Sequence, residues 1–239
     1  MRLVTKPRQW QQLPYSEHIK LAVETQLASW WPKVFGYHLL KLGSLSAGLD
    51  SQGCSISRHY SVFDDTGADI IADPHHLPLK NTTIDTVLMS FLIEFETNPY
   101  RLLREVDRVL ISGGYVIIVG FNPISPLFMG KVLSRYQTRL PWCGQFFMPS
   151  RVKDWLGLLG YQVLEDSRSL YHPLIRPFAF GQYLEQSLQR WLPGTGSVYF
   201  IVARKLDAPL TPIRDKKRPQ QHSWSPAPSA GRLGDHKLS

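Results

Sequence analysis

The 239-residue chain has little of what marks a small secreted protein or a membrane protein. Its only two cysteines, Cys54 and Cys143, lie far apart and lack CxxC spacing, so we expect neither a disulfide framework nor a zinc knuckle. Its longest apolar stretches, such as Tyr115 to Phe121, are far shorter than the roughly 18 to 20 residues that cross a bilayer. We therefore predict no membrane span.

The N-terminal residues 1–14 contain Gln, Trp and Pro, where a secretory signal would carry an uninterrupted apolar segment. Nothing in this stretch directs export. Together with the scarcity of cysteine, this pattern predicts a protein of the reducing cytoplasm.

Only 19% of the residues are charged, but the formal net charge is +8. Part of the basic excess lies in residues 207–239, which contain six basic and three acidic residues among many Pro, Ser and Gln. This composition predicts a disordered tail. Contact of the tail with RNA or acidic lipid is one interpretation, and a solvated tail with no such partner is the favoured one.

The hydrophobic fraction of 43% predicts one sizeable core. Helical periodicity predicts helices over residues 16–31, 99–110 and 150–159. Most strand candidates are continuous apolar runs, typical of strands that are buried on both faces. These strand candidates are residues 38–43, 60–63, 69–72, 86–91, 115–121, 161–165 and 198–203.

Strands that alternate with helices predict a doubly wound, mainly parallel α/β fold. We expect residues 1–35 to form an N-terminal helical segment, residues 36–206 the α/β domain and residues 207–239 the tail. In such sheets ligands bind beyond the carboxyl ends of the strands. The segments after the strands, among them residues 43–48, 73–78 and 91–96, are therefore the candidate site.

Three stretches of the chain, residues 72–79, 83–87 and 102–115, carry a family pattern. They read Ala-Asp-Pro-His-His-Leu-Pro-Leu, then Thr-Ile-Asp-Thr-Val, then a helix that ends in Arg-Val-Leu-Ile-Ser-Gly-Gly-Tyr. This order resembles the type-11 branch of class I S-adenosylmethionine-dependent methyltransferases. The resemblance covers about residues 36–121, and the order of elements extends it to about residue 205.

The resemblance implies a Rossmann-like fold with S-adenosylmethionine as cofactor. Gly43 matches the first glycine of the family's acidic-x-Gly-x-Gly-x-Gly loop, where Lys41 stands at the acidic position and Leu45 and Ala47 at the later glycine positions. Glycine lets backbone amides approach a ligand closely. The implied cofactor-binding residues are Gly43, Ser44, Ser46, Asp73, Pro74 and Phe91.

Two acidic residues near the implied cofactor site have competing interpretations. In the family, an acidic residue after the second strand binds the ribose, but Asp64 begins a short segment that ends in Gly67, and we favour a turn that joins antiparallel strands. Asp73 matches the acidic residue that meets the adenine amino group, and a turn cap is an equal alternative.

Methyl transfer needs little acid-base chemistry, because the sulfonium is already an activated donor. Glu94 and Glu96 follow the fourth strand candidate and are the candidate proton acceptors, although exposed acids at a helix start are the favoured interpretation. His75 and His76 are adjacent and have no ligand partner at a suitable spacing, so we predict no metal site.

The sequence therefore predicts an enzyme that transfers a methyl group to an unidentified acceptor, either a small molecule or a macromolecule. The alternative is a methyltransferase-like fold that does not bind the cofactor and serves as a binding or scaffold protein, with RNA contacts through its tail. A nicotinamide-binding protein ranks third, because no Gly-x-Gly-x-x-Gly follows the first strand.

Overall fold

The computed structural model describes residues 6–125, 137–171 and 193–206. Within these ranges the helices are α1 (Ser16–Trp30), α2 (Ser44–Ala47), α3 (Pro99–Val109) and α4 (Pro149–Leu158). The strands are β1 (His38–Leu42), β2 (Arg58–Phe63), β3 (Ile70–Ile71), β4 (Ile84–Ser90), β5 (Leu110–Phe121), β6 (Tyr161–Ser169) and β7 (Val198–Lys205). Short 3-10 turns lie at Trp10–Gln12, Ile93–Phe95 and Pro193–Thr195.

All seven strands form one sheet in the order β3-β2-β1-β4-β5-β7-β6. Strands β1 to β5 pair in parallel, and β7 runs antiparallel to both β5 and β6. This arrangement confirms the predicted doubly wound, mainly parallel α/β fold. In the part of the chain that the structure describes, no helix has the length and apolarity to span a bilayer.

Helices cover both faces of the sheet, which explains why the central strands are continuous apolar runs. On one face α1 buries Ile19, Val23 and Leu27 at helical spacing. On the other face α3 buries Leu102 and Val106, and α4 packs in the same cluster. The predicted N-terminal helix is therefore part of the core and covers one face of the sheet.

The predicted antiparallel pairing after β2 is wrong. Val62 pairs with Ile70, and the two strands run parallel. The reason is Asp69, whose Oδ2 accepts hydrogen bonds at 2.7 Å from both the backbone N–H and the hydroxyl of Ser61. These bonds bring the chain back beside β2 before β3 begins, so residues 64–69 make the crossover without a helix.

The predictions for residues 207–239 lie outside the described residues. At the other end, residues 6–13 lead into α1 and bury Trp10 and Leu13 in the core. These N-terminal residues reach the carboxyl ends of the strands, where the candidate site lies.

Candidate active site

A cavity of about 310 Å³ opens at the carboxyl ends of β1, β2 and β4. Four chain segments line it, residues 6–8, 43–45, 63–64 and 90–92, and Pro74 and Phe95 complete the wall. Four of the six predicted cofactor-binding residues lie in this lining. They are Gly43, Ser44, Pro74 and Phe91.

Gly43 shapes the turn between β1 and α2. Its φ of +91° lies in the region that favours glycine, and its N–H donates to the carbonyl of Val62 at 2.9 Å. A Cβ built at this position would have Leu92 Cδ1 as its nearest neighbour, at an ordinary 3.4 Å. The backbone dihedral, and not a lack of space, therefore requires glycine here.

Ser46 lies beneath the cavity and does not line it. Its side chain is fully buried, its hydroxyl donates to the carbonyl of Leu42 at 2.7 Å, and the same oxygen accepts from the N–H of Ser90 at 2.8 Å. Ser46 therefore ties the end of β1 to the end of β4. Its position makes it a support for the cavity wall.

The end of β4 supplies an aromatic wall and an unused hydroxyl. Phe91 has a φ of +50°, and its ring stacks on Phe121 at a centroid distance of 4.3 Å and meets the edge of Trp10 at 5.8 Å. The neighbouring Ser90 hydroxyl is buried and has no hydrogen-bond partner among the described residues. A buried polar group without a partner is unfavourable, and this hydroxyl has almost no surface open to the cavity.

Lys41 and Leu45 depart from the family's glycine loop, and they differ in whether they line the cavity. Lys41 directs its ammonium group to the carbonyl of Leu49, at 2.7 Å, and burial lowers its pKa. Lys41 does not line the cavity, so its charge does not face a ligand there. Leu45 does line the cavity, and its carbonyl accepts a hydrogen bond from the Trp10 indole at 3.0 Å.

The acidic residues after β2 and β3 lie in different environments. Asp64 is exposed and lines the cavity, whereas Asp65 makes the local turn bond, accepting from the N–H of Thr66 at 2.8 Å. The turn interpretation therefore fits Asp65 and not Asp64. Asp73 is exposed, lies outside the cavity lining and accepts from the N–H of His75 at 2.9 Å, as a turn cap does.

The expectation that Glu94 is an exposed acid is wrong, because its side chain is only 1% exposed. Its Oε1 accepts from the N–H of Phe121 at 2.7 Å, while its Oε2 and the hydroxyl of Tyr199 have no hydrogen-bond partner among the described residues. Burial raises the pKa of Glu94 to about 8. At neutral pH this carboxyl is therefore mainly protonated.

Glu96 is also buried, at 6% exposure, so the same expectation is wrong for it. One carboxylate oxygen pairs with the ammonium of Lys6 at 2.7 Å, and the other bonds the Nε2 of His75 at 2.7 Å. Glu96 thus joins three segments at the rim of the cavity. The two glutamates do not share a role, because Glu94 faces β5 and Glu96 faces the N-terminal segment.

Sequence reasoning missed several residues of this site. Lys6 and Arg8 precede every predicted element, and a short polar segment gives no signal that it crosses a cavity. The one available sign was Trp10, an aromatic residue within a polar stretch that turns out to be buried. Ser90 had no distinguishing pattern, since it lies inside an apolar run.

The sheet order and a cavity at the ends of β1, β2 and β4 define a Rossmann-like protein of the class I methyltransferase type. Residues 47–118 match the family described as "Methyltransferase domain". The chain is 36% identical to the uncharacterized Escherichia coli K12 protein YafS over 217 residues, which are 90% of this chain and 88% of YafS.

Two further likenesses agree with this. The chain is 31% identical to the demethylmenaquinone methyltransferase of Thermotoga maritima over 102 residues, 42% of this chain and 44% of that protein. A Haloferax volcanii methyltransferase, solved in complex with the Trm112 methyltransferase activator, superimposes with a TM-score of 0.59 at 14% identity over 80% of this chain and 92% of the other.

The chain belongs to the S-adenosylmethionine-dependent methyltransferases, in the type-11 branch. Its similarity to YafS extends over nearly the full length of both chains. The family's cofactor is S-adenosylmethionine. The residues present fit that group. The cavity of about 310 Å³ lies within the size range of small-molecule sites, the Asp64 carboxylate in its lining can accept hydrogen bonds from hydroxyls, and Pro74 and Phe91 give it apolar surface.

Proposed function

We propose that the protein binds S-adenosylmethionine in this cavity and transfers its methyl group to an acceptor with an apolar body. The observation that carries the proposal is the position of the cavity, where a left-handed Gly43 turns the chain at the end of β1 beside the buried end of β4. The Lys41 ammonium bonds the Leu49 carbonyl and does not line the cavity, so its charge does not face a cofactor bound there.

The lining residues divide into polar and apolar contacts. The backbone of Gly43 and Ser44 supports the methionine part, and Asp64 is placed to accept hydrogen bonds from the ribose hydroxyls. Pro74 and Phe91 give the apolar contacts. The predicted contact of Asp73 with the adenine amino group remains a prediction, since the described position of Asp73 already has a turn bond.

The bound cofactor supplies an activated methyl group, so the protein's main task is alignment. A protonated Glu94 cannot accept a proton at neutral pH, which leaves Glu96 as the better candidate when the acceptor must lose one. Glu96 lies next to Phe95 and Lys6, and both of these line the cavity. Its pairing with His75 keeps the carboxylate in place.

The acceptor class follows from the aromatic wall. Phe63, Phe91 and Phe95 line the cavity, and the fully buried Phe121 supports Phe91 from behind at a centroid distance of 4.3 Å. Such a surface favours an acceptor with an apolar or aromatic body. The partial likeness to an enzyme named for demethylmenaquinone supports this choice.

The cofactor site is tested with a matched pair of variants. Asp64→Asn removes the carboxylate that lines the cavity, whereas Asp154→Asn removes an exposed carboxylate from α4, outside the cavity lining. We expect Asp64→Asn to weaken S-adenosylhomocysteine binding about tenfold, as for loss of a charge-assisted hydrogen bond. Asp154→Asn leaves the affinity unchanged. Equal affinities of both variants and the wild-type protein would contradict the assigned role of Asp64.

The acceptor class is tested by incubating the protein with methyl-labelled S-adenosylmethionine and a cell extract that lacks the endogenous protein. We expect the label in the fraction that partitions into organic solvent. Label confined to RNA or to protein would contradict an apolar acceptor, while leaving the methyltransferase activity intact.

A further inference from the structure

An N-terminal segment crosses the mouth of the cavity and is fixed at both sides. We call residues 6–10 the strap. Arg8 forms an ion pair with Asp65, with 2.8 Å between Nη1 and Oδ2, and Lys6 forms one with Glu96, with 2.7 Å between Nζ and Oε1. Asp65 follows β2 and Glu96 follows β4.

The sheet order shows what the strap covers. Strands β2 and β4 are the two neighbours of β1, so a segment anchored after β2 and after β4 runs over the carboxyl end of β1. Gly43 and Ser44 lie at that end, and Lys6, Pro7 and Arg8 line the same cavity as they do. The strap is therefore one wall of the proposed cofactor site.

The strap is attached most firmly at Trp10, and Pro7 is buried as well. Trp10 is 6% exposed, bonds the carbonyl of Leu45 and packs its ring against Phe91. The Arg8–Asp65 pair is exposed on both sides, at 63% and 30%, so solvent weakens it, whereas the Lys6–Glu96 pair joins a 33% exposed lysine to a 3% exposed carboxylate. Trp10 is thus the fixed point about which residues 6–9 can lift.

Both acidic anchors keep a partner when the strap leaves. Glu96 retains its bond to His75, and Asp65 retains its bond from the N–H of Thr66. Release of the strap therefore does not leave the buried Glu96 carboxylate without a partner, which would be costly. Both ion pairs can therefore break and form again without leaving either acidic side chain unpaired.

We propose that residues 6–9 form a gate of the cofactor site, held shut by the Lys6–Glu96 and Arg8–Asp65 ion pairs, and that the gate must lift for the cofactor to enter and leave. This inference rests on the proposed function. A gate differs from a simple binding contact in its kinetics, because weakening a gate speeds both entry and exit, whereas loss of a contact speeds exit alone.

The test measures association and dissociation rates of S-adenosylhomocysteine by stopped-flow tryptophan fluorescence on the full chain. The variants are Lys6→Ala and Arg8→Ala, with Lys20→Ala as control, since Lys20 pairs with Glu24 on α1, and neither residue lines the cavity. We expect both rate constants to rise on the order of fivefold in each strap variant and to stay unchanged in the control.

A salt series adds a second readout. Raising the ionic strength should speed exchange in the wild-type protein, because it weakens exposed ion pairs, and should have little effect in the double variant Lys6→Ala/Arg8→Ala. A rise in the dissociation rate alone, or unchanged rates, would overturn the gate while leaving cofactor binding in place. Absence of binding in the wild-type protein would overturn the proposed function and the gate with it.

Discussion

Two walls of the same cavity are held in place by different means. The wall after β4 is held by buried groups, of which Glu94 is 1% exposed and accepts from the N–H of Phe121 while its carbonyl accepts from the N–H of Gln145 at 2.7 Å. The strap is held by two ion pairs whose basic partners, Lys6 and Arg8, are accessible to solvent. Buried bonds give a fixed surface and exposed pairs give an exchangeable one, so the first wall suits alignment and the second suits ligand exchange.

Removing the Glu94 side chain, which holds the wall after β4, should have the largest effect on stability. Glu94→Ala leaves the N–H of Phe121 without its acceptor and opens a cavity, so we expect the free energy of unfolding to fall by about 3 to 5 kcal/mol in urea titrations. Glu94→Gln keeps an acceptor oxygen and should cost far less. Equal losses in the two variants would show that the hydrogen bond to Phe121 does not matter.

The pH dependence of stability should reveal the same group. The pKa of Glu94 is about 8 in the folded protein, against an ordinary value of 4.5, because burial disfavours the charged form. Between these values the folded protein holds a proton that the unfolded chain releases. The free energy of unfolding should therefore fall as pH rises from about 4.5 to about 8, by at most about 1.4 kcal/mol per pH unit, and change little beyond that window.

The Glu94→Gln variant is the control for this pH dependence. The difference between its unfolding free energy and that of the wild-type protein isolates the contribution of one carboxyl. A difference that stays constant from pH 5 to pH 8 would contradict a raised pKa for Glu94.

Gly43→Ala should affect both stability and binding. A Cβ at a φ of +91° strains the backbone, so we expect a loss of about 2 kcal/mol in thermal or urea unfolding and weaker binding of S-adenosylhomocysteine. Gly157→Ala in α4 is the matched control, since a Cβ there has nothing within 4 Å and alanine favours a helix. Should both variants be equally stable, the left-handed turn would not require glycine.

The smallest predicted change in stability comes from Ser90→Ala. The Ser90 hydroxyl has no partner among the described residues, so its removal should change the free energy of unfolding by less than about 0.5 kcal/mol. Affinity for S-adenosylhomocysteine should stay within about twofold of the wild-type value, because the buried hydroxyl is closed off from the cavity. A loss of affinity of about tenfold in calorimetry would instead show that the hydroxyl contacts the ligand.

The contrast between regular buried elements and single side-chain bonds explains which features the sequence could predict. Apolar runs and helical periodicity depend on burial in regular elements, so they predicted the sheet and the helices α1, α3 and α4 but not the short α2. The loop at Gly43 was predicted from the family resemblance. The parallel return of β3 depends on one side chain, Asp69, that bonds Ser61 across a loop. Propensity rules treat such a loop as a tight turn, and they fail there.

The glutamates after β4 show a second limit. A pattern of charges predicts exposure by default, but Glu94 and Glu96 are buried, and each bonds a partner distant in sequence. Likewise the strap contacts Glu96 from 90 positions away, and its sequence carries no pattern that predicts such contacts. Which distant segments together line the cavity could therefore be learned only from the structure.

Calorimetric titration of the full chain with S-adenosylmethionine and S-adenosylhomocysteine tests the central claim most directly. Binding of both compounds at one site with micromolar affinity, on the order of −8 kcal/mol, is the predicted result. No heat, together with no rise in melting temperature at millimolar ligand, would contradict a cofactor site in the cavity at Gly43.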